Sequence, residues 1–168
     1  MATPRSAGIL LFRRRRGGEL EFLLVHPGGP FWARKDAGAW TIPKGQIEAE
    51  EEPRACAIRE LKEELGPAPE FDTEKLIELG SIKQRAGKVV EAWAVEAEFD
   101  PAALASNTFS MEWPPRSGRQ QDFPEVDRAD WFGIEAAREK ILPAQIELLE
   151  RLLERLESAD GERSVPER

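Results

Sequence analysis

The sequence predicts an α/β domain, and three observations carry that expectation. Two apolar, β-rich runs lie close together near the N-terminus, Ser6–Arg14 and Leu20–His26, joined by an Arg/Gly turn at Arg15–Gly18. Pro53–Leu65 has helical periodicity, a proline in its first turn and Gly66-Pro67 as a stop. A second helical stripe, Ile146, Leu149, Leu153 and Leu156, runs through Pro143–Glu157.

Between these landmarks the elements follow in order. Pro27–Gly38 is a Gly/Pro-rich loop carrying Phe31, Trp32, Arg34 and Lys35, and Trp40–Ile42 is expected to be a short strand. Lys75–Lys83 and Lys88–Phe99 read as extended, with a turn at Arg85–Gly87. Pro101–Pro124 is long, weakly patterned and rich in Pro and Ser; loops of that length inside a compact domain are usually functional or disordered, and this one is a candidate lid. Trp131-Phe132 reads as a last short strand and Ile134–Ile141 as a helix. The expected organisation is one domain over residues 1–157 and a frayed, disordered tail over 158–168.

Composition narrows the function. Hydrophobic residues make up 40% and charged residues 33%, as in a soluble globular domain. No apolar run approaches the roughly 18 residues of a membrane span, and MATPRSAGILLF lacks the apolar core of a signal peptide, so no membrane partner and no N-terminal processing are expected. A single cysteine, Cys56, fits a reducing, cytoplasmic setting, and the lone histidine, His26, reads as structural. A net charge of −8 disfavours a stable nucleic-acid partner. It leaves room for a small phosphorylated substrate, because a divalent cation would invert the local field.

The chemistry concentrates on Pro53–Leu65. On a helical projection Ile58, Leu61 and Leu65 share the face expected to be buried, while Glu60, Glu63 and Glu64 project together from the other side, with the small Cys56 and Ala57 a turn earlier. Like charges at this spacing cost a few tenths of a kcal/mol, and they sit toward the helix end whose dipole repels anions. Arg59 reaches Glu63, but the Glu60/Glu64 pair has no cationic neighbour on the helix. A compensating cation held by oxygen ligands, Mg²⁺ or Mn²⁺, accounts for such a trio. On spacing alone, a solvated acidic face accounts for it as well.

The wider spacing separates the two. Gly45, five residues, Glu51, seven residues, Arg59-Glu60-Leu61, one residue, Glu63-Glu64, one residue and Gly66 resemble the Nudix box, G-x5-E-x7-R-E-U-x-E-E-x-G-U, with Pro67 in place of the final aliphatic residue. The resemblance implies an α/β/α sandwich with a mixed sheet and hydrolysis of a nucleoside diphosphate linked to another group. It implies Glu60, Glu64 and Glu63 as metal ligands with the Gly45 carbonyl, and an Arg59–Glu51 pair bracing the loop before the helix. It also implies Mg²⁺ or Mn²⁺ as cofactor, acting by charge neutralisation and by acidifying water.

Two carboxylates are candidates for the catalytic base. One is Glu63. The other is Glu125, because PEVDRADWF resembles the S-x-E-H stretch six residues before a tryptophan in Nudix diadenosine tetraphosphate hydrolases, with Val126 where those have histidine. Glu112 is a weaker rival for the same role. Lys44, Arg34 and Arg85 are candidate phosphate contacts, and Trp32 a candidate base-stacking residue, with Phe31, Trp40 and Trp113 as others.

The run WTIPKG resembles the dinucleoside polyphosphate and diphosphoinositol branches, although the chain has no tyrosine to stack on adenine. Lys83 stands near the place where the ADP-ribose branch shows a proline. The expectation is therefore hydrolysis of a dinucleoside polyphosphate or nucleoside triphosphate by a monomer or homodimer. The alternative is an idle Nudix domain that binds a nucleotide as a sensor or scaffold.

Overall fold

The computed structural model describes residues 4–67 and 69–164. Its centre is a six-stranded sheet. Strand β1 (Arg5–Arg14) turns back antiparallel into β2 (Leu20–Pro27), and the short β3 (Lys44–Gln46) pairs antiparallel with the start of β1. Helix α1 (Pro53–Leu65) follows, then β4 (Ile77–Lys83) and β5 (Val89–Glu96). β6 (Thr108–Glu112) and β7 (Gln120–Pro124) form a separate two-stranded hairpin, and β8 (Val126–Gly133) returns to the main sheet. Helices α2 (Ile134–Lys140) and α3 (Ile146–Ser164) complete the described chain. The strand order is β4-β5-β1-β2-β8, with β3 off β1. β1 and β5 are parallel and every other pair is antiparallel, so the sheet is mixed.

The alternation of side chains across a strand explains the layering. Ile9 and Leu11 of β1 point with Leu23 and Val25 of β2 toward α1, where they bury Cys56, Ala57, Leu61 and Leu65. Leu10, Phe12, Phe22 and Leu24 point the other way, onto Ala137 of α2 and Leu148, Leu149 and Leu152 of α3. Both faces of the central strands are covered, which is why β1 and β2 read as continuous apolar runs. The result is the expected α/β/α sandwich.

Several boundaries differ from expectation for identifiable reasons. Trp40–Ile42 is not a ladder strand: Thr41 bridges Val25, Trp40 bridges Ile141, and the Ile42 N–H donates to the Gln145 side chain at 3.0 Å. The ladder strand is shifted to Lys44–Gln46, against β1 at Gly8, where an added Cβ would lie 2.4 Å from the Pro43 carbonyl oxygen. Pro101–Pro124 holds a 3₁₀ turn (Pro101–Ala103) and the β6–β7 hairpin, in register at Phe109↔Phe123. β8 extends well before Trp131 because, as an edge strand, it carries Asp127, Arg128 and Asp130 on exposed positions, and edge charges mask strand pattern.

α3 runs to Ser164, into the segment expected to fray; residues 165–168 of that expected tail lie outside the described residues. The buried Leu152 and Leu156 and the Arg155 guanidinium on the Glu78 carbonyl hold the helix to the sheet, and good helix formers then propagate it. Cys56 and Ala57 also depart from expectation: they are fully buried, so the glutamate side of α1 is itself packed against β3 in its first half. No helix among the described residues is long and apolar enough to cross a membrane.

Gln145, at the end of the 3₁₀ turn Pro143–Gln145 that leads into α3, is the polar stitch to the segment leading to Lys44. It is fully buried; its amide nitrogen donates to Thr41 Oγ1 and Gln84 Oε1, both at 2.8 Å, and its oxygen accepts from Ile42 N–H. Gln145→Leu is expected to strand that N–H and destabilise the protein by about 1–3 kcal/mol in urea titration. A loss within about 0.5 kcal/mol, the range of a neutral surface change, would show that the stitch is dispensable.

Candidate active site

The acidic end of α1 is organised by one guanidinium. Arg59 donates to Glu51 through Nε (2.7 Å to Oε2) and Nη2 (2.9 Å to Oε1), a bidentate pair, and through Nη1 to Glu60 (2.9 Å) and Glu63 (3.0 Å). Nη2 also reaches the Gln46 carbonyl at 3.2 Å. Arg59 thus pins the loop before α1 to the helix and offsets three carboxylates at once. The Glu51 carboxyl is held down to about 2, first by the Arg59 hydrogen bonds and then by the Glu48 N–H. Burial, with the Glu51 charge behind it, pushes the Cys56 thiol up to about 12, so this cysteine is an unreactive packing residue whose Sγ lies 3.6 Å from the Gly45 carbonyl oxygen.

Gly45 lies directly against Glu60: an added Cβ would sit 1.9 Å from the carboxyl carbon of Glu60, so any larger residue would push that side chain out of its present place. The Glu60 side chain is largely buried (14% exposed), whereas Glu63 opens to solvent (39%). Burial, then the Glu63 charge, raises the Glu60 carboxyl above its ordinary range against the pull of Arg59. Glu64 is buried more deeply. Burial raises it to about 8, against the Lys44 backbone N–H, which donates to Oε2 at 3.1 Å, and against the Lys44 ammonium. Burial likewise lowers the Lys44 ammonium; Glu64 opposes that shift, and Lys88 adds to it.

Glu125 reaches this pocket from the other side of the chain. Its N–H donates to the Asn107 carbonyl (2.8 Å), while the Asn107 N–H donates to the Glu63 carbonyl (2.9 Å) and the Ala105 N–H to the Leu65 carbonyl (3.0 Å). Carbonyls left over at the end of α1 are therefore satisfied by residues 105–107. Ser106 Oγ clamps Val126 through both its N–H (3.2 Å) and its carbonyl (3.0 Å). The outcome is a pocket of about 380 Å³ lined by Lys44, Gly45, Glu60, Glu63, Glu64 and Glu125, together with Gln46 and Asn107. Larger grooves of about 550 and 640 Å³ lie elsewhere. The first also gathers four carboxylates, Glu21, Glu98, Asp100 and Asp130, but there Glu21 and Glu98 are paired with Arg13 and Arg15.

Six of the candidate residues thus share one pocket, and Arg59 and Glu51 stand behind it as the expected pair. Arg34, Arg85 and Trp32 do not line it. Arg34 and Trp32 lie in the 27–38 loop, where the Trp32 ring carries the Lys35 ammonium at 4.9 Å, and Arg85 lies in the β4–β5 turn. In that turn region it is Lys88 whose charge is felt at Lys44. Glu112 lies at the far end of β6 and does not line the pocket either. Asn107 and Gln46 were not singled out from sequence; the only signal for Gln46 is its place directly after Gly45, and Asn107 has none.

His26 is structural, as expected. It is fully buried, with Nδ1 2.7 Å from Asp127 and Nε2 2.6 Å from the Lys35 carbonyl, and it packs edge-on to Trp40. It ties the 27–38 loop to β8.

The donor set suits a hard divalent cation, since all four acidic groups offer oxygen and the deepest sit in low dielectric. Among the described residues, however, no three carboxylate, histidine or thiol groups stand close enough together to cage a cation as their side chains are placed. Arg59 takes up Glu60 and Glu63, and the Lys44 N–H takes up Glu64, so ligation requires short side-chain rotations out of these hydrogen bonds.

The Glu51–Arg59 pair has a pH signature. A carboxyl depressed in the fold adds stability that is present above its unfolded value, about 4.3, and is lost as pH falls toward about 2. The difference in melting temperature between wild type and Glu51→Gln is expected to be constant near neutrality and to narrow across that acid window. A difference that ignores pH would remove the ion pair as its source.

Comparison with known proteins bears on the family and the fold. Residues 2–152 match the NUDIX domain family. An RNA pyrophosphohydrolase of Alkalilimnicola ehrlichii is 49% identical over 43 residues, a stretch covering 25% of this chain and 24% of that protein. The match therefore spans about a quarter of that relative's length. Among solved structures, the NUDIX domain of Shewanella oneidensis NrtR, complexed with ADP ribose, superposes with a TM-score of 0.62 at 18% identity, covering 93% of this chain and 90% of that one. A C. elegans Ap4A hydrolase binary complex gives 0.60 at 24% identity, covering 91% and 98%. Such distant likenesses speak for the fold. The match over residues 2–152, by contrast, assigns the chain to the Nudix family.

Proposed function

We propose that this protein is a metal-dependent hydrolase that cleaves a phosphoanhydride bond in a nucleoside 5′-polyphosphate, either a dinucleoside polyphosphate or a nucleoside triphosphate. One observation carries the proposal: four glutamates from two distant parts of the chain converge beside Lys44 in a single pocket. The local match to RNA pyrophosphohydrolases adds the 5′-triphosphate end of a short RNA to the candidate substrates.

The residues divide the work as follows. Glu60 and Glu64, with Glu63 and the Gly45 carbonyl, would hold Mg²⁺ or Mn²⁺, as Nudix proteins generally use divalent ions. The cation would supply charge neutralisation at the phosphates and acidify water. Lys44, beside Glu64, binds a phosphate oxygen. Glu125 takes the proton of the attacking water: its side chain has no hydrogen bond or ion pair among the described residues, whereas Glu63 is engaged by Arg59. Arg59 and Glu51 keep the loop and helix in register, so that the Gly45 carbonyl and Glu60 stay together.

Phosphate-product analysis with Mg²⁺ tests this against diadenosine polyphosphates, nucleoside triphosphates, a 5′-triphosphorylated RNA, ADP-ribose and diphosphoinositol phosphates. One class is expected to be cleaved, with no cleavage by Glu64→Gln. Glu125→Gln is expected to lower kcat by about 10²–10⁴ with little change in KM. Binding without cleavage across the panel would leave a nucleotide sensor instead.

Metal binding offers a second check. A Glu64 carboxyl near 8 is mostly protonated at neutral pH, and ligation must displace that proton. Mg²⁺ affinity is expected to climb as pH rises toward about 8 and then level off, with proton release visible in calorimetry across buffers of different ionisation enthalpy. Affinity independent of pH would remove Glu64 from the ligand set.

A further inference from the structure

Phe31 is the large apolar side chain left exposed among the described residues, at 62%. It is not isolated. Its ring meets Trp113 edge to face, with centroids 5.7 Å apart and planes at 83°. The two residues are far apart in sequence: Phe31 belongs to the 27–38 loop, and Trp113 directly follows β6.

Two close approaches join these segments. An added Cβ at Gly28 would lie 1.9 Å from the Pro124 carbonyl oxygen, and one at Gly29, where φ is +96°, would lie 2.9 Å from the Phe109 ring. The Gly28 N–H donates to the Glu125 carbonyl at 2.9 Å. The loop is therefore pressed onto the hairpin beside the residue proposed as general base. On the hairpin side, the Trp113 N–H donates to the Arg119 carbonyl at 2.9 Å, and Phe109 packs on Phe123.

The remaining tryptophans are committed elsewhere. Trp40 and Trp131 are buried, Trp93 packs on the α1-side core, and Lys35 covers Trp32. A contact that merely closed the loop onto the hairpin would bury Phe31 rather than leave most of it in water. Two rings near a right angle form an open corner, in which a flat aromatic ligand lies on one ring with its edge against the other. Phe31 is three residues from Gly28, so its backbone lies within about 10 Å of the Glu125 strand end, while Trp113, beyond the far end of β6, stands up to about 17 Å from it. The corner between the two rings is therefore at the reach of a ribose and a triphosphate. Arg116 and Arg119 put positive charge at the same end of a chain whose net charge is −8.

We propose that Phe31 and Trp113 form an aromatic clip for a nucleobase of the substrate, setting the base at one end of a phosphate run whose reacting anhydride lies at the glutamate pocket. This rests on the hydrolase assignment for the position of the phosphates. The clip itself is read by binding.

Calorimetric dissociation constants, measured with Ca²⁺ in place of Mg²⁺, compare ATP with inorganic tripolyphosphate in wild type, Phe31→Ala, Trp113→Ala and Trp113→Phe. Wild type is expected to bind ATP at least about tenfold tighter than tripolyphosphate. Each alanine variant is expected to weaken ATP by about 5- to 150-fold, the range of a base–aromatic stack, and to leave tripolyphosphate unchanged; Trp113→Phe should retain most of the ATP affinity. Diadenosine tetraphosphate and a 5′-triphosphorylated dinucleotide, as further arms, show whether the base belongs to a free nucleotide, a dinucleotide or an RNA end. Equal affinity for ATP and tripolyphosphate in wild type, or equal losses for both ligands in the alanine variants, overturns the clip. Absence of phosphate release by wild type would instead count against the hydrolase and leave this comparison readable.

Discussion

Carboxylates crowded at the C-terminal end of a helix repel one another and the helix dipole, and in this protein the Arg59 guanidinium is what makes the crowd tolerable. It faces Glu51, Glu60 and Glu63 together. An ammonium, with three donors on one atom, could not match this, because the planar fork grips Glu51 bidentately and still has donors left for Glu60, Glu63 and the Gln46 carbonyl. Through Glu51 and the Gln46 carbonyl the same group fixes the path of the loop, and so the place of Gly45 against Glu60. The rest of the pocket is built outward from that arrangement.

The second constraint is the absence of side-chain volume where backbones must meet. Gly8 lets β1 approach the Pro43 carbonyl, and Gly28 admits the Pro124 carbonyl. Each of these contacts joins a structural segment to the neighbour of a site residue, Lys44 in the first case and Glu125 in the second. A pocket assembled from the chain around 44, 60–64, 107 and 125 needs such approaches, because its parts come from different layers of the sandwich.

How much of this could be seen in the sequence depends on how local each feature is. Helix α1 was legible to the residue, since Pro53 and Gly66 mark its ends and the glutamate spacing marks its role. The Arg59–Glu51 pair was legible from the motif, and Glu125 from its distance to Trp131. The β6–β7 hairpin was not, because its strands are short, polar and separated by a Pro/Arg/Ser/Gly turn, and their pairing makes a sheet of only two strands. Arg34, Arg85 and Trp32 were chosen because loops that carry charge or aromatics often face a cleft. Their loops are near the site, but the pocket wall is supplied by Lys44 and Asn107, whose placement depends on backbone hydrogen bonds that sequence does not display.

The parallel pairing of β1 with β5 has a consequence for how competence is acquired. Arg5 is in register with Val89, and Phe12 with Glu96, so the middle of the sheet joins segments separated by most of the first half of the chain. Pairings of such sequence separation close late, because the loop entropy is lost before the contacts form. α1 and its acidic end can form from local sequence, but β3 has no partner until β1 is placed, and Glu125 has no anchor until residues 105–107 reach the end of α1. A partly folded chain therefore holds the glutamates without the pocket. The pocket that gathers the four glutamates is complete only once the sheet has closed around it.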